Sequence, residues 1–142
     1  MVRQGAGGRI VNITSEGSRR VLPYYFSVGT SKAALEAVTR YLAVELAPKG
    51  ISVNAVSGGG VETEALDHFP NREEMRAAGR RTLPGRMVTT EDIARVVAFL
   101  CSNEAEMIRW GTAIGAAART PLFLFLRGPL GAGKSVLARS IA

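Results

Sequence analysis

Apolar positions along this chain alternate between two periods, one suited to strands and one to helices. The run from Arg9 to Thr14 places Ile10, Val11 and Ile13 around Asn12 and ends in a polar turn. Its nearly unbroken β-branched character predicts a short strand covered on both faces. From Ser27 to Pro48, Leu35, Val38, Leu42 and Leu46 recur with alanines between them, the stripe of an amphipathic helix, and Gly50 supplies the stop. Ile51 to Val56 predicts a second buried strand. Asn71 followed by Glu74 reads as a capping box opening a short helix to about Arg80. Thr89 or Thr90 caps another helix, which carries Ile93, Val96, Val97 and Leu100 on one side and fades near Ser102. The order β-α-β-α-α predicts an α/β fold with a doubly wound parallel sheet.

Composition narrows the class without naming a chemistry. At 46% hydrophobic and 21% charged over 142 residues, the chain fits one globular domain with a real core. Eighteen basic residues against 12 acidic ones leave a net charge of +6, a balance open to nucleic acid or an acidic carrier protein as partner. The basic residues fall in scattered pairs, Arg19-Arg20 and Arg80-Arg81, without interleaved aromatics, so a solvated surface is expected and nucleic acid is not. Cys101 is the single cysteine, which excludes an intramolecular disulfide; its apolar helical surroundings predict a buried structural thiol. No signal-peptide pattern opens the chain and no run reaches the ~20 apolar residues of a membrane span, so the cytoplasm is expected and a membrane is not. His68 lacks partners at ligand spacing, so a surface histidine is expected and no metal site. Gly5-Ala6-Gly7-Gly8 precedes a strand instead of following one and reads as a turn, not a phosphate loop.

The candidate chemistry lies in Tyr25-Phe-Ser-Val-Gly-Thr-Ser-Lys32. Seven positions are two helical turns, which would put the phenol and the ammonium on nearly one face, about 10 Å apart along the axis. Helical side chains lean toward the N-terminus, so the stem of Lys32 can close part of that distance. A hydrogen-bonding acid beside a fixed positive charge suits a developing oxyanion, although the same spacing also fits a plain surface pair.

Three stretches decide between these readings: Gly8-Arg9-Ile10-Val11-Asn12-Ile13-Thr14-Ser15, Ser31-Lys32-Ala33-Ala34-Leu35 and Gly50-Ile51-Ser52-Val53-Asn54-Ala55-Val56. Together they resemble the short-chain dehydrogenase/reductase family, from Gly8 to near Ile114. Most members place the tyrosine four residues before the lysine, where this chain has Val28. The longer spacing resembles the enoyl-acyl-carrier-protein reductase branch, and Asn54 to Gly59 with Ala65 to Glu73 is similar to its NADPH-dependent bacterial form. The resemblance implies a Rossmann-like fold and hydride transfer from NADPH, with NADH as alternative, to a trans-2-enoyl thioester on acyl carrier protein. It implies that Tyr25 stabilises the enolate oxygen or donates a proton, and that Lys32 holds the nicotinamide ribose. Thr14 or Ser15 would take the place of the serine that assists the tyrosine. Some enoyl reductases have a second tyrosine where Ser15 stands, and the residue itself reads as a turn or cap hydroxyl. Gly58, Gly59 and Val61 would meet the nicotinamide amide, and Thr63 would cap a helix toward the phosphates. The helix from Ser27 to Pro48 resembles the one through which such reductases pair, implying a homo-oligomer.

The match implies the C-terminal half of such a reductase domain over residues 1–114, with Met1 falling midway through it. An isolated half is expected to be a poor enzyme or a self-associating fragment. After a junction at 115–121, the run Leu122-Phe-Leu-Phe-Leu-Arg127 leads into Gly128-Pro-Leu-Gly-Ala-Gly133-Lys134-Ser135, a Walker A pattern between a strand and a helix start. In such loops backbone N–H groups cradle phosphates and the serine ligates magnesium, so Gly128, Gly133, Lys134 and Ser135 are candidates for binding ATP with Mg²⁺. The appended 122–142 segment resembles a small bacterial P-loop ATPase but lacks room for a Walker B acid. It either takes the place of the last reductase strand or forms a misplaced tail.

Overall fold

The computed structural model describes residues 1–81, 85–102, 108–110, 112–113 and 116. Strand β1 (Gly8–Thr14) pairs in parallel with β2 (Ile51–Ser57), in register from Gly8 opposite Ile51 to Thr14 opposite Ser57. Parallel neighbours need a crossover, and helix α1 (Phe26–Leu46) provides it. It continues as a tight turn, Ala47–Lys49, and Gly50 at φ 68° ends it in the left-handed conformation that glycine adopts without strain. Downstream lie a 3₁₀ turn at Glu64–His68, helix α2 (Arg72–Gly79) and helix α3 (Thr90–Cys101). The fold is thus α/β, with a parallel sheet of two strands among the described residues.

The core lies where α1 crosses the sheet. Ala43, Ile51 and Val53 are buried, with Ile10, Leu42 and Leu46 packed against them. Val53 is only 1% exposed, and full burial of such a side chain stabilises by about 1.5–3 kcal/mol. Alternation along the strands puts Ile10, Asn12 and Thr14 on the same face as Ile51 and Val53, toward α1.

Several expectations fail for physical reasons. β1 is not covered on both faces, since Ile13, pointing away from α1, is 46% exposed. Val38 is half exposed, whereas Glu36 and Thr39 are buried on the inner side of α1. There the helix meets the Asn12 and Thr14 end of β1, so polar residues face polar residues: Asn12 Nδ2 donates to Thr39 Oγ1 at 2.8 Å. The Asn71–Glu74 capping box does not form. Asn71 has ψ 31°, not the extended backbone from which a cap side chain reaches the helix, and its buried Oδ1 has no partner among the described residues. Cys101 is exposed and is the last residue of α3. Trp110 packs edge-on against Phe99 of α3, with ring centroids 6.2 Å apart.

Where local chemistry suffices, it holds. Thr89, extended at ψ 165°, accepts from Asp92 N at 3.3 Å, and Asp92 accepts from Thr89 N at 2.9 Å. Arg86 and that backbone N–H hold the Asp92 carboxyl well below the usual carboxylate range. No helix of the described residues is long and apolar enough to cross a membrane. None of their His, Cys, Asp and Glu side chains form a cluster able to hold a metal ion.

Candidate functional site

The carboxyl end of β1 delivers Thr14 and Ser15 into a tight 3₁₀ turn, Glu16–Ser18. Ser15 shapes that turn: Gly17 N donates to its Oγ at 3.2 Å, and Ser18 Oγ donates to its carbonyl at 2.7 Å. The chain then loops outward through Val21 and returns at Tyr24, whose φ of 59° is left-handed and costly for a residue with a side chain. That reversal turns Tyr25 inward. Its hydroxyl donates to Ser15 Oγ at 3.1 Å, and its ring stacks on Phe69 with centroids 5.4 Å apart.

Tyr25 is not a helical residue, contrary to the two-turn expectation. With φ −115° and ψ 11° it stands at the N-cap, and α1 begins at Phe26. Lys32, inside the helix, leans back and donates from Nζ to the Ile13 carbonyl at 2.9 Å. Phenol and ammonium are therefore linked through three consecutive residues, Ile13 to Ser15: Lys32 grips the first and Tyr25 reaches the last. An ammonium carries three donors, so two remain for other hydroxyls.

Close approach of the turn to the helix rests on two glycines. A Cβ on Gly29 would stand 2.8 Å from the Gly17 carbonyl, and one on Gly17 would stand 2.5 Å from the Tyr25 ring. A glycine inside an otherwise helical pattern signals such an approach, and Gly29 carried that signal in the sequence.

Glu36 was also missed. It lies one turn beyond Lys32 on the same face, and its carboxylate accepts from Thr14 Oγ1 at 3.1 Å, Ser18 Oγ at 2.5 Å and Arg19 Nε at 3.0 Å. The Ser18 bond above all, then those of Arg19 and Thr14, hold the Glu36 carboxyl below its usual range against the opposing effect of burial. Because Thr14 is committed to Glu36, Ser15 is the hydroxyl that meets the phenol.

Two clefts flank the site. One, of about 590 Å³, lies at the carboxyl ends of the two strands and is lined by Thr14, Ser15, Ser57, Gly58 and Gly59 among others. The second, about 520 Å³, is bordered by Tyr25, Leu22 and Phe26. Lys32 lines neither. Gly58 is packed, as a Cβ there would lie 2.3 Å from Ile93 Cδ1. Val61 lies apart from the first cleft, bridged in parallel to Val88. Thr63 stands extended before the Glu64–His68 turn without a side-chain capping bond. His68 is exposed there. Gly128, Gly133, Lys134 and Ser135 lie outside the described residues.

Ligands in open parallel sheets bind beyond the carboxyl ends of the strands, where this site lies. A 1-cyclohexenylcarbonyl-CoA reductase of Streptomyces collinus is 42% identical over 116 residues, spanning 76% of this chain and 40% of that protein. An NADH-dependent enoyl-acyl-carrier-protein reductase of Aquifex aeolicus is 36% identical, spanning 74% of this chain and 39% of its own length. Thus the chain spans well under half of the curated relatives it matches. Among solved structures, the Bacillus cereus enoyl-acyl-carrier-protein reductase with NADP+ and indole naphthyridinone superposes with a TM-score of 0.62 at 34% identity, covering 70% of this chain and 39% of that one. A 3-ketoacyl-acyl-carrier-protein reductase of Brucella melitensis complexed with NADH has the same TM-score at 33% identity, covering 75% and 42%. With residues 1–114 matching the family model described as enoyl-(acyl carrier protein) reductase, the chain belongs to that family of short-chain oxidoreductases.

Proposed function

We propose that this chain carries the reducing site of an enoyl thioester reductase acting on trans-2-enoyl chains borne by acyl carrier protein. The observation that carries the reading is the Tyr25 hydroxyl on Ser15 Oγ at 3.1 Å, with Lys32 fixed behind it on the Ile13 carbonyl. The cleft beside Ser15, walled at the strand ends by small hydroxyl residues and glycines and on the turn side by Glu16, Arg19, Arg20 and Glu36, would take the nicotinamide end of a dinucleotide at its strand-end wall. Thr14, Gly58 and Gly59 would hold that end, with Val61 and Thr63 further along the same segment, and Lys32, which borders neither cleft as it stands, would turn its remaining donors toward the ribose. NADPH is the preferred coenzyme and NADH the alternative. When bound, the reduced nicotinamide supplies the hydride to the β-carbon.

The protein's part is to receive the charge that then develops on the thioester oxygen. The Tyr25 phenol donates to that oxygen and stabilises the enolate, or passes it the proton. Ser15 rotates its hydroxyl from accepting to donating and holds the phenol oxygen in place. Lys32 adds positive field from the helix. Phe69, stacked on the phenol, keeps water from one side of the ring. The outer face of α1, where Phe26, Tyr41 and Val44 are each more than three-quarters exposed, is proposed to pair with a second copy. The cytoplasm, where such carriers work, is the proposed location. Residues 1–114 form the reductase unit in this reading, and 122–142 a separate phosphate-loop segment beyond the 115–121 junction.

The test is coenzyme oxidation by the purified chain with crotonyl thioester. The reading expects weak oxidation above the thioester-free control, as suits a chain spanning well under half of its relatives, lowered by roughly a hundredfold or more in Tyr25→Phe. No thioester-dependent oxidation would reject the reading, and an unchanged rate in Tyr25→Phe would remove the tyrosine from its role.

A further inference from the structure

Among the buried residues described, Glu36 is the one with a charged side chain. Its side chain is 10% exposed, while that of its partner Arg19 is 67% exposed. Burying a carboxylate costs several kcal/mol unless its partners are well placed, and apolar packing often stabilises a fold as well or better. Stability alone therefore does not account for a carboxylate here. The positions of its donors do. Thr14 is the last residue of β1, Ser18 ends the tight turn and Arg19 follows it, so all three stand within five residues of one another, around Ser15. Thr14 and Ser18 share a single oxygen, Oε1. The residues immediately before and three after Ser15 are thus fixed to one atom of α1, one turn beyond the lysine that fixes Ile13.

We propose that Glu36 is a positioning residue for the Tyr25 site: its carboxylate clamps both sides of Ser15 and so holds Ser15 Oγ where the Tyr25 hydroxyl meets it. The proposal rests on Ser15 and Tyr25 forming the reducing site, but its geometry does not depend on turnover. A carboxylate suits the task because it only accepts, through two oxygens, and all three neighbours can donate. Glutamine in its place keeps one acceptor oxygen for the hydroxyls and presents an N–H pair to Arg19, so it should loosen the clamp without removing it.

The test uses the full chain labelled with ¹³C at tyrosine Cζ, with Tyr25 assigned through Tyr25→Phe and no coenzyme or thioester present. Ser15→Ala should displace the Tyr25 resonance by removing its hydrogen-bond partner. Glu36→Ala should displace it by most of the same amount, and Ser15→Ala should then add little in the Glu36→Ala background. Glu36→Gln should give a partial displacement in the same direction. A Ser15→Ala displacement of equal size in both backgrounds, with circular dichroism showing a native fold, would overturn the proposal, since a purely structural staple leaves that coupling additive. Where Glu36→Ala does not fold, Glu36→Gln and Arg19→Ala decide: a partial displacement supports the clamp and an unmoved resonance overturns it. In a chain that turns over, Glu36→Ala should lower kcat more than it changes KM. Absence of turnover in the parent would reject the reductase reading and leave the resonance result standing.

Discussion

Glu36 and Arg76 are both charged hubs with three partners, and they behave oppositely. Glu36 collects Thr14, Ser18 and Arg19 between β1 and α1 at the edge of the first cleft, its own side chain only 10% exposed. Arg76 collects Asp67 at 2.6 Å, Glu73 at 3.2 Å and Glu62 at 3.6 Å, yet each of those carboxylates is more than half exposed. Water competes for the second set and screens it, while the first set has few alternatives. The number of partners therefore says little, and the solvent around them decides. The segment from Glu62 to Arg76 also supplies Phe69, which stacks on Tyr25. One side of the phenol is consequently held by a buried clamp and the other by a segment tied down at the surface.

Substitutions can break or sharpen this contrast. Glu36→Ala should lower unfolding free energy by about 2–3 kcal/mol in denaturant titrations, since it strips a charged acceptor from the buried Thr14 hydroxyl and the half-buried Ser18 hydroxyl. That contribution depends on pH. The folded carboxyl sits below the ordinary glutamate value of 4.5, so the stabilisation is fully present above that value and is lost as pH falls through the lowered folded one. The gap between parent and Glu36→Ala should accordingly close in acid; a gap constant from neutral pH into strong acid would contradict the assignment. Gly29→Ala tests the close approach on the same side. Its Cβ would stand 2.8 Å from the Gly17 carbonyl, so a loss of about 1–2 kcal/mol should outweigh the helical preference for alanine.

Two smaller effects complete the series. Tyr24→Gly should raise stability by about 0.5 kcal/mol, because relief of the left-handed strain slightly exceeds the entropy that glycine loses. A loss instead would mean that the exposed Tyr24 ring makes contacts that matter. Arg76→Ala should leave the denaturation midpoint nearly where it was. A loss as large as that of Glu36→Ala would erase the distinction between the two hubs.

The sequence revealed those parts of the fold that depend on near neighbours. The β-branched runs at 9–14 and 51–56, the Gly50 stop and the Thr89 cap each act within a few residues, and the observed elements follow them closely. It hid what depends on distant partners. Glu36 and Thr39 look like the solvent face of an amphipathic helix until β1 presents Thr14 and Asn12 to them. The Asn71–Glu74 spacing was right for a capping box and the backbone angle was not. The Tyr25 and Lys32 pair was visible as residue types at a spacing, but its geometry was misjudged. The phenol reaches Ser15 from a cap position after a left-handed turn, which no helical period describes.

The Tyr25–Ser15 contact carries the claim of a reducing site, and the choice of enoyl over 3-ketoacyl substrate rests on the seven-residue spacing, because the same fold serves both kinds of relative. The most direct measurement compares coenzyme oxidation by the purified chain with a trans-2-enoyl thioester and with the 3-ketoacyl thioester of equal length. A strong preference for the enoyl substrate, lost in Tyr25→Phe, is the predicted result; preferential reduction of the ketone would contradict the account.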